Sequence, residues 1–272
     1  MSLTTACARA VHDAPLRPLP GGHGGGYRLI GRGPRLLVVL PGIVGPADAL
    51  AALGEALADD YQTCLVHYPA APSLDALLAA LDAVRREHGV GPAAVCGGSF
   101  GALVAQAWLA RDPAALSDLV ISGAGPPDPA RAARNARLLP WMARLPIPLW
   151  RLLLRGAVRG ATTRTPERAS WRRFYGEAIA GLTWADLESR YHIAIGVDRG
   201  GPPSAAALAA WRGRLLVIEG GRDGVAGDRV RAALAEVYPA ARFHRIDDAG
   251  HGLALDQPEA WLRVTTAFLR SR

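Results

Sequence analysis

The chain contains no lysine: all 31 basic side chains are arginine, set against 24 acids for a formal charge of +7. Together with its richness in Ala, Gly and Pro, this reads as a bias of composition. No interleaved basic and aromatic pattern accompanies the charge, so a nucleic-acid partner is not expected. Cysteine is scarce. Cys7, Cys64 and Cys96 are unclustered, which argues against both a disulfide framework and a thiolate metal site. No apolar run approaches the roughly 20 residues of a membrane-spanning helix. The first 29 residues carry neither a continuous apolar stretch nor a cleavage site of the secretory kind, so a soluble cytoplasmic protein is the expectation.

What remains is globular in kind: 272 residues, half of them apolar and a fifth charged. Short β-branched runs alternate with helical patterns, as βαβ units around a mostly parallel sheet do. Strands are expected at 35–42, 63–69, 93–99, 116–125, 214–223 and 241–248, with an early one near Tyr27–Ile30 after a glycine-rich loop at 21–26. Helices are expected near 46–59, 73–88, 100–111, 228–237 and 257–270, the third closed by Asp112-Pro113. From about 126 to 203 strand signals vanish. Four tryptophans, Trp141, Trp150, Trp171 and Trp184, fall there among arginines at helical spacing such as Arg151, Arg155 and Arg159. We read 126–203 as a helical insertion into a core formed by 1–125 and 204–272.

Residues 97–101, "GGSFG", fit G-x-S-x-G between a strand and a helix, the tight turn that thrusts a serine hydroxyl beyond a sheet edge. A phosphate-cradling loop is the alternative for a glycine-rich turn, but neither G-x-G-x-x-G nor a following lysine is present. Ser99 needs a base, and the base an orienting acid. His251, in "DDAGHGLALDQPE", follows the last strand on a loop flanked by glycines. Asp223 ends "VIEGGRD", at the carboxyl edge where open α/β sheets place their sites. Asp228 competes as an acid but reads as a helix N-cap, and Asp247 and Asp248 lie too near His251 along the chain to point at its ring. Oxyanion donors are expected from the backbone N–H of Phe100, after the nucleophile, and of Ile43, within "LPGIVG". An ordinary Pro-Gly turn is the alternative for that loop.

These elements resemble the α/β-hydrolase family, with Ser99, Asp223 and His251 in the family's order, from about Tyr27 onward. The resemblance implies an α/β fold with a helical cap over the pocket at 126–203, and no cofactor or metal. Two departures stand out: Pro41-Gly42 where many members have His-Gly, and a sheet that reads as lacking one or two N-terminal strands. More faintly, "LVHYP" and the tryptophan-rich cap resemble the maspardin-like branch, some of whose members look non-catalytic.

Within 126–203 there are 13 Arg against 6 acids, so this segment carries the whole of the chain's excess charge. Leu138, Trp141, Met142, Leu145 and Trp150 are read as the apolar face roofing the pocket, with the arginines solvated outside. Steering of an anionic substrate, or contact with a lipid surface, is the alternative. The expected activity is hydrolysis of a small or medium apolar carboxylic ester, thioester or lactone through an acyl-enzyme. The rivals are a non-catalytic binding scaffold, or C–C hydrolysis, acyl transfer or lyase chemistry with the same three residues.

Overall fold

Arg35–Leu40 is apolar at five consecutive positions, the pattern of a strand covered on both faces. In a computed structural model, which describes residues 3–89, 91–162 and 164–271, the two faces are indeed both filled. Leu36, Val38 and Leu40 enter one core cluster with Trp108, Leu77 and Val95, while Leu37 and Val39 enter another with Leu65, Cys96, Trp261 and Phe268.

The strands are β1 (Arg17–Pro18), β2 (Gly26–Ile30), β3 (Arg35–Leu40), β4 (Tyr61–His67), β5 (Ala93–Gly98), β6 (Leu116–Ser122), β7 (Arg214–Gly220) and β8 (Arg242–Ile246). They form one sheet in the order β1-β2-β4-β3-β5-β6-β7-β8. The pairings of β2 with β1 and β4 are antiparallel and the rest are parallel. The expectation of missing N-terminal strands is therefore corrected. β1 has two residues and no periodicity to betray it; β2 falls where the early strand near Tyr27–Ile30 is expected, and it joins the sheet through β4, with Tyr27 opposite Val66.

The helices are α1 (Leu3–Asp13), α2 (Ala51–Ala56), α3 (Leu74–His88), α4 (Phe100–Arg111), α5 (Pro129–Met142), α6 (Ile147–Ala161), α7 (Arg168–Gly181), α8 (Trp184–Gly200), α9 (Ala205–Ala210), α10 (Asp228–Val237), α11 (Leu253–Asp256) and α12 (Pro258–Arg270). None among the described residues is long and apolar enough to cross a membrane. α1 was not anticipated; its Cys7 packs with Trp171 of α7 and Leu255 of α11. Asp228 is the first residue of α10, not its N-cap, which is Gly227.

Helices α5 to α8 lie between β6 and β7. α8 starts in a capping box, Asp186 N–H donating to Thr183 Oγ1 at 3.2 Å and Thr183 N–H to Asp186 Oδ2 at 2.8 Å. Its far half sinks into the core through Ile193 and Val197. Arg131 of α5 donates to the buried carboxylate of Asp198 at 2.7 Å, fastening α5 to α8. α6 is held more lightly: only Trp150 is buried, beside Ile179 and Leu187.

Candidate active site

β5 runs directly into α4 through Ser99, whose backbone sits at φ 51°, ψ −113°. A non-glycine residue there carries strain of about 1–3 kcal/mol, which the surrounding packing must hold. The packing is tight enough to do so. A Cβ on Gly101 would lie 2.0 Å from the Leu40 carbonyl oxygen, and one on Gly97 would lie 2.5 Å from that of Gly101. Both glycines are demanded by the close approach of β3, β5 and α4. Ser99 N–H donates to the Ser122 carbonyl at 2.8 Å, tying the turn to β6.

The loop after β8 brings His251 over this turn. Its Nε2 stands 3.2 Å from Ser99 Oγ, and its Nδ1 lies 3.0 Å from Oδ2 and 3.2 Å from Oδ1 of Asp223. Gly123, at φ +65°, lets the chain pass beneath the ring: a Cβ there would be 3.1 Å from His251 Cε1. Asp223 leaves the end of β7 and is almost wholly buried, its Oδ1 accepting from the backbone N–H of Val225 (2.8 Å) and Ala226 (3.1 Å). Burial, the largest influence, pushes its carboxyl up. The hydrogen bond and charge of His251, with the two amides, outweigh it and hold the carboxyl below its ordinary value.

The competing acids face elsewhere. Asp228 and Asp247 are exposed beside Arg245, and Asp248 pairs with Arg222. Neither the Ile43 nor the Phe100 amide donates to a backbone group among the described residues. Among those residues no three His, Cys, Asp or Glu side chains are grouped to hold a metal.

Beside Ser99 and His251 opens an apolar cavity of about 320 Å³, walled by Ile43, Leu50, Leu253 and Trp261. Its roof corrects the sequence expectation. Leu154, Ala157, Val158 and Ala161 of α6 and Tyr175 of α7 cover it, whereas Leu138, Trp141 and Leu145 are exposed and Met142 packs with Trp150 away from it. Cys96 also lines the cavity, and burial pushes its thiol up to about 12.

The sequence from residue 11 to 264 matches the model of the alpha/beta hydrolase family. The chain belongs to that family. No curated protein matches it. Among solved structures, this α/β hydrolase is similar to a hydrolase from Pseudomonas aeruginosa PA01, at TM-score 0.74 and 18% identity over 96% of this chain and 100% of that one. It is also similar to a thermophilic esterase from Thermogutta terrifontis, at 0.69 and 20% over 95% and 98%. A third is an E-2-(acetamidomethylene)succinate hydrolase, at 0.68 and 18% over 95% and 99%. At such identities the likeness concerns the fold alone, and function has to be argued from the site.

Three side chains around the α/β-hydrolase site escaped the sequence reading. Asp256 accepts from Gly250 N–H at 2.9 Å and from Thr165 Oγ1 at 3.1 Å, steadying the loop of His251 from within α11. Tyr68 donates to the Pro41 carbonyl at 3.0 Å and stands edge-on to Phe100. Arg190, buried in α8, donates to the Ile43 carbonyl, so the loop bearing Ile43 is held at two of its carbonyls. No motif marks them, because each meets its partners only once the chain is folded.

Proposed function

We propose that this chain is a serine hydrolase cleaving a small or medium apolar carboxylic ester, thioester or lactone. The observation that carries the reading is the continuous hydrogen-bonded line from Ser99 Oγ through the imidazole of His251 to the buried carboxylate of Asp223. Ser99 Oγ attacks the carbonyl while His251 Nε2 takes its proton; Asp223 orients the ring and stabilises the imidazolium. The carbonyl oxygen, now negative, is held by the N–H groups of Phe100 and Ile43. His251 returns the proton to the leaving alkoxide or thiolate, and an acyl-enzyme remains. A water, activated by the same imidazole, releases the acid and restores Ser99. The size and apolar walls of the cavity favour a compact, uncharged acyl group.

The test is labelling with a fluorophosphonate alongside a panel of chromogenic esters of increasing acyl length. Wild-type protein is expected to be labelled at Ser99 and to turn over at least one ester, and Ser99→Ala to lose both. Folded wild-type protein that stays unlabelled would favour the non-catalytic scaffold.

A further inference from the structure

Nine large apolar side chains stand exposed among the described residues, and six of them, Leu138, Trp141, Leu145, Leu149, Leu152 and Leu153, fall between 138 and 153. At 100° per residue, α6 has two apolar sectors. One, with Trp150, Leu154 and Val158, faces inward. The other, spanning Leu149, Leu152 and Leu153, points away from the protein and continues into Gly156, where an added Cβ would meet nothing within 4 Å. Trp141 is 66% and Leu152 60% exposed. A soluble surface scatters such residues singly; here six fall on two consecutive helices and the short turn that joins them.

The charge along these two helices is of one sign. From 129 to 166 there are eight arginines and no Asp or Glu. Arg131 and Arg151 are spent on Asp198 and the Leu182 carbonyl. Arg134, Arg137, Arg144 and Arg155 are exposed, and the guanidinium of Arg144 lies 4.5 Å from the Trp141 ring centre. A tryptophan with leucines beside a purely cationic rim is the chemistry that seats a helix at the boundary of headgroups and acyl chains.

We propose that the α5–α6 hairpin docks on an anionic lipid bilayer, its leucines and Trp141 entering the interface and its arginines meeting lipid phosphates. A second copy of the chain is the poorer occupant, because a twofold contact would bring two arginine-only surfaces together. The inference does not depend on the chemistry at Ser99.

Co-sedimentation tests it, with Ser99→Ala protein so that no turnover alters the vesicles. Neutral phosphatidylcholine vesicles are compared with vesicles holding about 30 mol % phosphatidylglycerol, at about 0.1 M salt. Pelleting is expected with the anionic vesicles at least about tenfold above the neutral ones. Two variants with unchanged circular dichroism and thermal unfolding, Arg134/Arg137/Arg144/Arg155→Gln and Trp141/Leu152/Leu153→Ser, are each expected to lose at least about tenfold of that binding. Folded parent protein that ignores anionic vesicles would overturn the proposal. So would binding that survives the loss of Trp141, Leu152 and Leu153, which is adsorption by charge alone. A dimer in gel filtration that Leu152→Ser dissociates would assign the face to a second copy.

Discussion

Helices α4 and α6 are of similar length and serve the same cavity, one through its N-cap Ser99 and the other by lining it, yet nine of twelve residues are buried in α4 and one of fifteen in α6. The first carries the turn of Ser99, and the second lays a roof over it. A strained serine needs neighbours that cannot move, and α4 is wedged between β3, β5 and α8 by backbone contact. A roof needs only one contacting sector, so the rest of α6 is free to carry leucines, glycines and arginines that packing does not choose. Local stability follows the same division: a helix with few buried contacts opens more readily than one sunk in the core.

One substitution made in both helices separates them most sharply. Gly101→Ala drives a methyl into the Leu40 carbonyl, and loss of soluble folded protein is expected. Gly156→Ala meets nothing and replaces a poor helix former, so chemical denaturation should show it neutral or stabilised by up to about 1 kcal/mol. A folded, fully active Gly101→Ala would break the comparison.

Next in size is a kinetic contrast. Asp223→Asn keeps shape but removes the charge beside the imidazole, and a fall in kcat on the order of 10⁴ in a protein that remains folded is expected. Asp228→Asn alters only an exposed first-turn carboxylate, and steady-state rates should stay within about twofold, with under about 1 kcal/mol of stability lost. If the two effects were exchanged, the acid would be misassigned.

Tryptophan provides the third contrast. Trp108 is fully buried in α4, and Trp108→Ala should cost about 3–5 kcal/mol in urea unfolding. Trp141→Ala, on the hairpin, should stay within about 0.5 kcal/mol. Comparable losses from the two would mean that the hairpin is packed in solution by something outside the chain.

The smallest effect is one of pH. The Asp223 carboxyl is held below its ordinary value in the folded protein, so the stability it contributes is fully present above about pH 4. That contribution is lost as pH falls through the lower folded-state value. The stability difference between wild type and Asp223→Asn should therefore shrink as pH falls below about pH 4. A difference that stays unchanged from about pH 4 to about pH 2 would contradict the shift.

The comparison also explains what could be read in advance. In β3, β5 and β7 both faces are covered, and the resulting apolar runs announced themselves; β6 and β7 simply end three residues before their expected bounds. Ser99, Asp223 and His251 were nameable because the turn, the strand end and the loop each have a local pattern. The roof did not yield in the same way. α6 has two apolar sectors, and periodicity says that both exist without saying which meets the cavity. Asp256 stayed hidden because its partners, the Gly250 amide and Thr165, are known only once the chain is folded.

Cys96 sits in the wall of the cavity within reach of whatever enters beside Ser99. Burial pushes its thiol up, so the sulfur is held in its protonated form at neutral pH. The other two cysteines are buried as well. An entering molecule thus meets, in one wall, a buried and protonated sulfur close to the Ser99 hydroxyl, and a soft electrophile finds no ready thiolate there.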